Sequence, residues 1–124
     1  MKTLKILAVS TMFFLCINSL SAQNPSSSSI DSISTPMVQY LDNDVNLTSQ
    51  QNFTIRQGAN EYALNLLNAR NLSNAEESYN LMKSSTEKYQ AIVESVLTNE
   101  QKSLRLQKQN ERLIEINRIA NSNN

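Results

Sequence analysis

The chain has few residues that favour tight turns: its 124 residues include one glycine and two prolines. A turn-rich β fold needs these residue types at many positions, so the composition favours long helices. From Thr48 onward, apolar residues recur at intervals of three and four, the spacing of one helix face. Three such stripes predict three helices, and their members are Ile55, Ala59, Tyr62, Leu66 and Ala69; Ala75, Tyr79, Met82, Tyr89, Val93 and Val96; and Leu106, Leu113, Ile116 and Ala120.

The predicted fold is all-α, a small antiparallel helical hairpin or bundle of three to four helices. Residues 37–46 are of mixed character and predict one further helical turn. The third long helix should be the least buried, because residues 107–112 form a polar run on its seam. So few helical residues bury little core by themselves, and we therefore expect a homodimer.

Residues 1–22 have the three-part layout of a cleavable export signal, with two lysines, an apolar run and a short polar end at Ala22. The apolar run is too short to span a bilayer, so we expect no stable membrane insertion and a periplasmic or secreted protein. Residues 23–36 are rich in serine and predict a disordered leader. We expect the helical domain over 37–120 and a frayed tail over 121–124.

Helix starts are marked by capping boxes, in which a hydroxyl residue is followed three positions later by Gln or Glu. The pairs are Thr48 with Gln51, Ser73 with Glu76, and Thr98 with Gln101. A leucine precedes each predicted cap, at Leu47, Leu72 and Leu97. These residues predict where the three long helices begin.

The side-chain inventory argues against catalysis and metal binding. The chain contains no histidine, and its one cysteine, Cys16, lies inside the predicted export signal. No Gly-rich phosphate loop is present, and no nucleophile has a plausible base. We expect a protein that is not an enzyme and that uses no cofactor and no metal. Loss of Lys2 and Lys5 with the signal would leave a net charge of −2, which argues against a nucleic-acid partner.

Positive charge is concentrated in the last predicted helix, which carries Lys102, Arg105, Lys108, Arg112 and Arg118. The residues before it, 31–100, are acidic overall. The last helix could therefore dock on an acidic surface, a partner subunit included. The alternative is that these charges form a solvated face.

Two of the capping boxes share a longer pattern. Leu47-Thr48-Ser49-Gln50-Gln51 and Leu97-Thr98-Asn99-Glu100-Gln101 both read Leu-Thr-x-x-Gln, fifty residues apart. In a small, helical chain with an export signal, this resembles the LTXXQ-motif family of periplasmic proteins typified by Spy and CpxP. The resemblance covers roughly residues 37–112. It implies an all-helical fold that dimerises into a curved cradle and binds unfolded clients without ATP, or reports envelope stress.

We therefore expect an ATP-independent chaperone or envelope-stress binding protein that holds unfolded or misfolded client segments on a helical surface. The alternative is a non-catalytic helical accessory or regulatory module that docks one envelope partner. Candidate contact residues for clients or a partner are the apolar Phe53, Ile55, Tyr62 and Leu66 and the basic Lys102, Arg105, Lys108 and Arg112. The stripes that carry the tyrosines are also compatible with simple core packing.

Overall fold

The computed structural model describes residues 25–123, which form four α-helices and no strand. The helices are α1, Ser27–Val45; α2, Ser49–Arg70; α3, Ala75–Val96; and α4, Asn99–Ser122. The all-α prediction of a three- to four-helix arrangement is confirmed. The predicted export signal, residues 1–22, lies outside the described residues.

Helix α1 corrects the prediction of a disordered leader, because it begins at Ser27 rather than near Met37. The hydroxyl of Ser26 accepts a hydrogen bond from the Ser29 amide and caps the helix. Ser34 is fully buried and continues the buried line of Val38 and Leu41 towards the N-terminus. The serine-rich segment is thus one end of an amphipathic helix whose small polar residue fits between packed helices.

Helix α3 begins one residue later than its predicted capping box. Asn74 is the N-cap, and its side-chain oxygen accepts hydrogen bonds from the amides of Glu76 and Glu77 at 2.9 and 3.1 Å. Ser73 is therefore not the cap, and the predicted pairing of Ser73 with Glu76 is wrong. The side-chain oxygen of asparagine caps a helix as well as the hydroxyl of serine does. The two glutamates of the first turn interact favourably with the helix dipole.

Helix α4 extends to Ser122, so it includes the first two residues of the segment 121–124, which we expected to fray.

The core lies where α2 packs against α1 on one side and α3 on the other. Its buried members are Val38, Leu41, Val45, Ile55, Ala59, Val93 and Leu97. Gly58 of α2 is buried at the contact with α3, and a Cβ at this position would lie 2.9 Å from Cδ1 of Ile92. The glycine inside the helix therefore permits a close approach of α2 and α3.

The stripe predicted for α3 is displaced on the helix surface. Tyr79 and Met82 are 65% and 40% exposed, although the spacing predicted that both face the core. Ser85 occupies a buried position instead, and the hydroxyl of Ser78 donates to the Ala69 carbonyl at 2.8 Å. Small hydroxyl residues of α3 thus face α2, and the larger side chains of Tyr79 and Met82 lie towards solvent.

Helix α4 packs mainly against α1, and none of its residues 99–122 is buried. This agrees with the prediction that the last helix is the least buried. None of the helices in the described part of the chain is both long and apolar enough to cross a membrane.

Candidate functional site

The two Leu-Thr-x-x-Gln motifs start α2 and α4, and each forms a complete capping box. The Thr48 hydroxyl accepts a hydrogen bond from the backbone amide of Gln51 at 3.1 Å, and the side-chain oxygen of Gln51 accepts one from the backbone amide of Thr48 at 3.0 Å. The matching distances for Thr98 and Gln101 are 3.2 and 2.9 Å. Both motifs thus satisfy backbone amides that the first helical turn leaves without partners.

The same two glutamines also meet each other, although fifty residues separate them. The Gln51 side-chain nitrogen donates to Gln101 Oε1 at 2.7 Å, and the Gln101 nitrogen donates back to Gln51 Oε1 at 3.0 Å. The four side chains of Thr48, Gln51, Thr98 and Gln101 are called the glutamine clasp below.

Each glutamine of the clasp additionally binds the end of a helix from the other junction. Gln51 Nε2 donates to the carbonyl of Val96, the last residue of α3, at 2.9 Å. Gln101 Nε2 donates to the Val45 and Asn46 carbonyls at the end of α1, at 3.4 and 3.3 Å. The clasp therefore joins the α1–α2 and α3–α4 junctions, and it satisfies C-terminal carbonyls that lack partners within their own helices.

The leucines before the caps have unequal environments. Leu97 is 6% exposed and belongs to the core, and Leu47 is half-buried and packs against it, whereas Leu72 is exposed at 40%. The two leucines of the Leu-Thr-x-x-Gln motifs thus anchor the clasp on the core, and the third, beside the displaced cap of α3, does not.

The α1–α2 turn uses two residues that sequence reasoning missed. Asn46 has a positive φ of 56°, a left-handed conformation that asparagine tolerates better than most residues. Asp42 accepts the Leu47 amide on its Oδ1 at 2.8 Å. The Asn directly after the last apolar residue of α1 is the signal that could have located this helix end.

The basic candidates of α4 contact acidic residues of their own chain. Lys102 and Arg105 lie 3.6 and 3.8 Å from the carboxylate of Glu94 in α3. Lys108 lies 3.8 Å from Glu111 within α4. The acidic partners Glu94 and Glu111 are more than half exposed, so these pairs contribute little stability, but they place part of the positive charge against the body of the chain.

Arg112 makes the most extensive contact of the four. It forms a hydrogen-bonded ion pair with Asp44 of α1, and its guanidinium lies 4.3 Å from the ring centroid of Tyr40. The hydrogen bond to Asp44 is the main cause that raises the pKa of Arg112 above its ordinary value. Neither Asp44 nor Tyr40 stood among the candidates, because a contact across 68 positions leaves no local pattern.

The apolar candidates do not form one surface. Ile55 is fully buried, so its assignment as a client or partner contact is wrong, and it serves as core. Phe53 is 59% exposed, whereas Tyr62 and Leu66 are half-buried. The ring centroids of Tyr62 and Tyr89 are 5.9 Å apart, so Tyr62 contributes to packing between α2 and α3.

Of the eleven exposed large apolar side chains in the described part of the chain, six lie on α4. Leu106, Leu113 and Ile116 are 62%, 58% and 60% exposed, and their spacing of seven and three positions places them on one side of the helix. We call these three residues the α4 apolar face. Ile114 and Ile119 are also exposed nearby. Several exposed large apolar side chains on one side of a helix are typical of interaction sites.

Within residues 25–123, no three His, Cys, Asp or Glu residues lie close enough together to hold a metal ion. No family model matches the chain, and neither a curated protein nor a solved structure shows significant similarity to it.

Proposed function

We propose that the protein is an ATP-independent chaperone or envelope-stress binding protein of the Spy/CpxP type, which holds unfolded client segments on its helical surface. The observation that carries this proposal is the exposure of large apolar side chains. Within residues 25–123, eleven of them are at least 36% exposed, whereas six side chains of valine size or larger are buried in the core. A chain that leaves more of its large apolar groups in water than it buries is suited to binding apolar partners.

The chemistry of the exposed groups also favours varied clients. Met82 is flexible and Tyr79 is amphipathic, and both line an open hollow of about 390 Å³ on α3 together with Lys83 and Glu87. Surfaces that combine adaptable apolar groups with charges of both signs can accommodate different sequences. Binding needs no nucleotide, because apolar burial alone drives association.

The proposal includes export and self-association. An export signal over residues 1–22 would deliver the chain to the periplasm or the exterior, where unfolded chains cannot rely on ATP-driven chaperones. A homodimer that buries the α4 apolar face would leave Phe53, Tyr79 and Met82 for clients. The two Leu-Thr-x-x-Gln motifs support membership of the LTXXQ family, with the clasp as the element that fixes the helix junctions.

Binding of one envelope partner through the basic side of α4 is the less supported alternative. Lys102 and Arg105 already face Glu94, and Arg112 is engaged by Asp44. An acidic partner would have to displace these contacts.

An aggregation assay tests the proposal. Residues 23–124, which include all four helices, are added to an enzyme that has been unfolded in guanidinium and then diluted. We expect suppressed light scattering at near-stoichiometric ratio without ATP. The variant Tyr79→Ser/Met82→Ser should suppress less, whereas the control Lys83→Ser/Glu87→Ser, on the same exposed hollow, should retain activity. Unchanged scattering at a large molar excess of the unmodified chain would refute the proposal.

A further inference from the structure

A cavity of about 190 Å³ lies between α1 and α4, and Tyr89 of α3 also lines it. Its apolar wall is formed by Met37 and Leu41 of α1. A closed apolar cavity of about 150 Å³ accommodates a benzene molecule, so this one can accept a body of the size of a phenylalanine or leucine side chain.

The polar side of the cavity contains donors that lack a hydrogen-bond acceptor within the described chain. Arg105 is 21% exposed, and its only contact with an acid is the 3.8 Å approach of Glu94, which is beyond hydrogen-bond distance. Tyr89 is half-buried and Gln109 is exposed, and neither the Tyr89 hydroxyl nor the Gln109 side-chain amide hydrogen-bonds to another described residue. The half-buried donors, Arg105 and Tyr89, gain most from an acceptor that reaches them.

The remaining charges of the cavity wall neutralise each other. Asp44 is 10% exposed at its side chain and is paired with Arg112, which also lies over the Tyr40 ring. The Asp44 carboxylate is thus already engaged, and Arg105 is the guanidinium of the cavity that no described acceptor hydrogen-bonds. Burial raises the pKa of the Tyr89 hydroxyl, so this group stays a protonated donor at neutral pH.

We propose that this cavity binds a carboxylate attached to a small apolar body. The apolar body lies against Met37 and Leu41, and the carboxylate accepts hydrogen bonds from the Arg105 guanidinium and the Tyr89 hydroxyl. Two natural sources share this chemistry: the C-terminal residue of a peptide that ends in an apolar side chain, and a short fatty acid. The site is separate from the exposed surfaces on which the proposed chaperone function depends, and it stands without that function.

Titration followed by ¹H–¹⁵N NMR on residues 23–124 tests the site. The probes are N-acetylphenylalanine for the peptide source, hexanoate for the fatty-acid source, and N-acetylphenylalanine amide as the uncharged control. We expect saturable shifts around Met37, Tyr89 and Arg105 for one or both acids, with a dissociation constant on the order of 1 mM for ligands this small. Binding of only one acid identifies the source. Equal binding of the amide, or no saturable shift with either acid, overturns the proposal.

Variants separate the two donors from general structure. Arg105→Gln should weaken binding about tenfold and Tyr89→Phe by a smaller factor, because a charge-assisted hydrogen bond contributes more than a neutral one. The matched control is Arg118→Gln, a guanidinium of the same helix whose one ion-pair partner among residues 25–123 is Glu115, three positions away. Circular dichroism establishes that each variant keeps its helices. Unaltered affinity in Arg105→Gln would also overturn the proposal.

Discussion

The side-chain amides of Gln51 and Gln101 bind each other in both directions, with N···O distances of 2.7 and 3.0 Å. Each amide oxygen is at the same time the acceptor of its own capping box, and each nitrogen reaches a carbonyl at the opposite helix end. Every polar atom of the two side chains therefore has at least two partners. Contacts between residues fifty positions apart convert two local helix starts into one tertiary element.

Replacement of Gln101 by Glu should destabilise the fold. The carboxylate can still accept the Thr98 amide, but it cannot donate to Gln51 or to the α1 carbonyls. We expect a loss of about 1–3 kcal/mol in the free energy of unfolding, measured by urea denaturation. Gln51→Glu should behave similarly, and the double variant should cost more than the sum of the two, because its two carboxylates face each other and no donor remains between them.

Gln50→Glu is the matched control for the clasp. Gln50 is the exposed neighbour of Gln51 in the first turn of α2, where a negative charge interacts favourably with the helix dipole. This variant should leave stability unchanged or slightly increased. Equal losses in Gln50→Glu and Gln51→Glu would show that the loss comes from the added charge and not from the clasp.

Two neighbouring substitutions test which residue starts α3. Asn74→Ala removes the side-chain oxygen that accepts the Glu76 and Glu77 amides and should cost about 1 kcal/mol. Ser73→Ala should have almost no effect, since Ser73 is exposed and lies outside the cap. Thermal or urea unfolding of the two variants side by side gives the answer, and the reverse order of losses would restore the predicted box.

The starts of α2 and α4 could be predicted from sequence because a capping box is local: Thr48 and Gln51 lie within one turn. The start of α3 could not be resolved, because Ser73 and Asn74 are adjacent and both are good caps. The extent of α1 was missed because Ser34 was counted as polar, whereas in the fold its small side chain continues the buried line of Val38. Patterns that treat each residue as apolar or polar cannot show which small polar residue fits a close helix contact.

The candidate site also combines features that the sequence predicts with features that depend on helix packing. The chemistry of Thr98 and Gln101 as a helix cap follows from the sequence, but the partnership of Gln101 with Gln51 depends on how the helices pack. The exposure of Tyr79 depends on a rotation of α3 that the heptad spacing alone does not determine. The contact of Arg112 with Asp44 likewise arises only once α4 lies across α1.

Gly58 and Ile92 should be energetically coupled. Gly58→Ala raises helix propensity by about 1 kcal/mol, but its new Cβ would lie 2.9 Å from the Ile92 Cδ1 atom. Ile92→Val removes that methyl group. We therefore expect Gly58→Ala to stabilise the Ile92→Val background more than the wild type, with a coupling of at least about 0.5 kcal/mol in a double-mutant cycle. Additive effects would mean that the Ile92 side chain moves aside without cost.

The stability of the protein should fall at alkaline pH, in part because of Tyr89. Burial raises the pKa of its hydroxyl above the ordinary value, and the positive charge of Arg105 opposes this effect to a smaller degree. Above about pH 10 the unfolded chain loses this proton while the folded chain still holds it, so the unfolded state binds fewer protons. The free energy of unfolding then decreases as pH rises. Urea denaturation at about pH 8 and about pH 11 should show a smaller decrease for Tyr89→Phe than for the wild type.

The α4 apolar face should drive self-association rather than stabilise the single chain. Leu106 and Leu113 are seven positions apart, as on one seam of a coiled coil, and both are more than half exposed. Leu113→Ser/Ile116→Ser should therefore shift sedimentation equilibrium towards the monomer while the helical content remains, because neither side chain is buried in the described fold.

Gln107→Ser/Asn117→Ser is the control for this prediction, since it changes two exposed polar positions of the same helix to the same residue and should leave association unchanged. Burial of Leu113 and Ile116 in a dimer contributes about 3 kcal/mol or more per chain. The dissociation constant of Leu113→Ser/Ile116→Ser should therefore be higher than that of the wild type by at least about a hundredfold. A wild-type chain that remains monomeric at high micromolar concentration would contradict the prediction, and its α4 apolar face would then be open to client segments along its whole length.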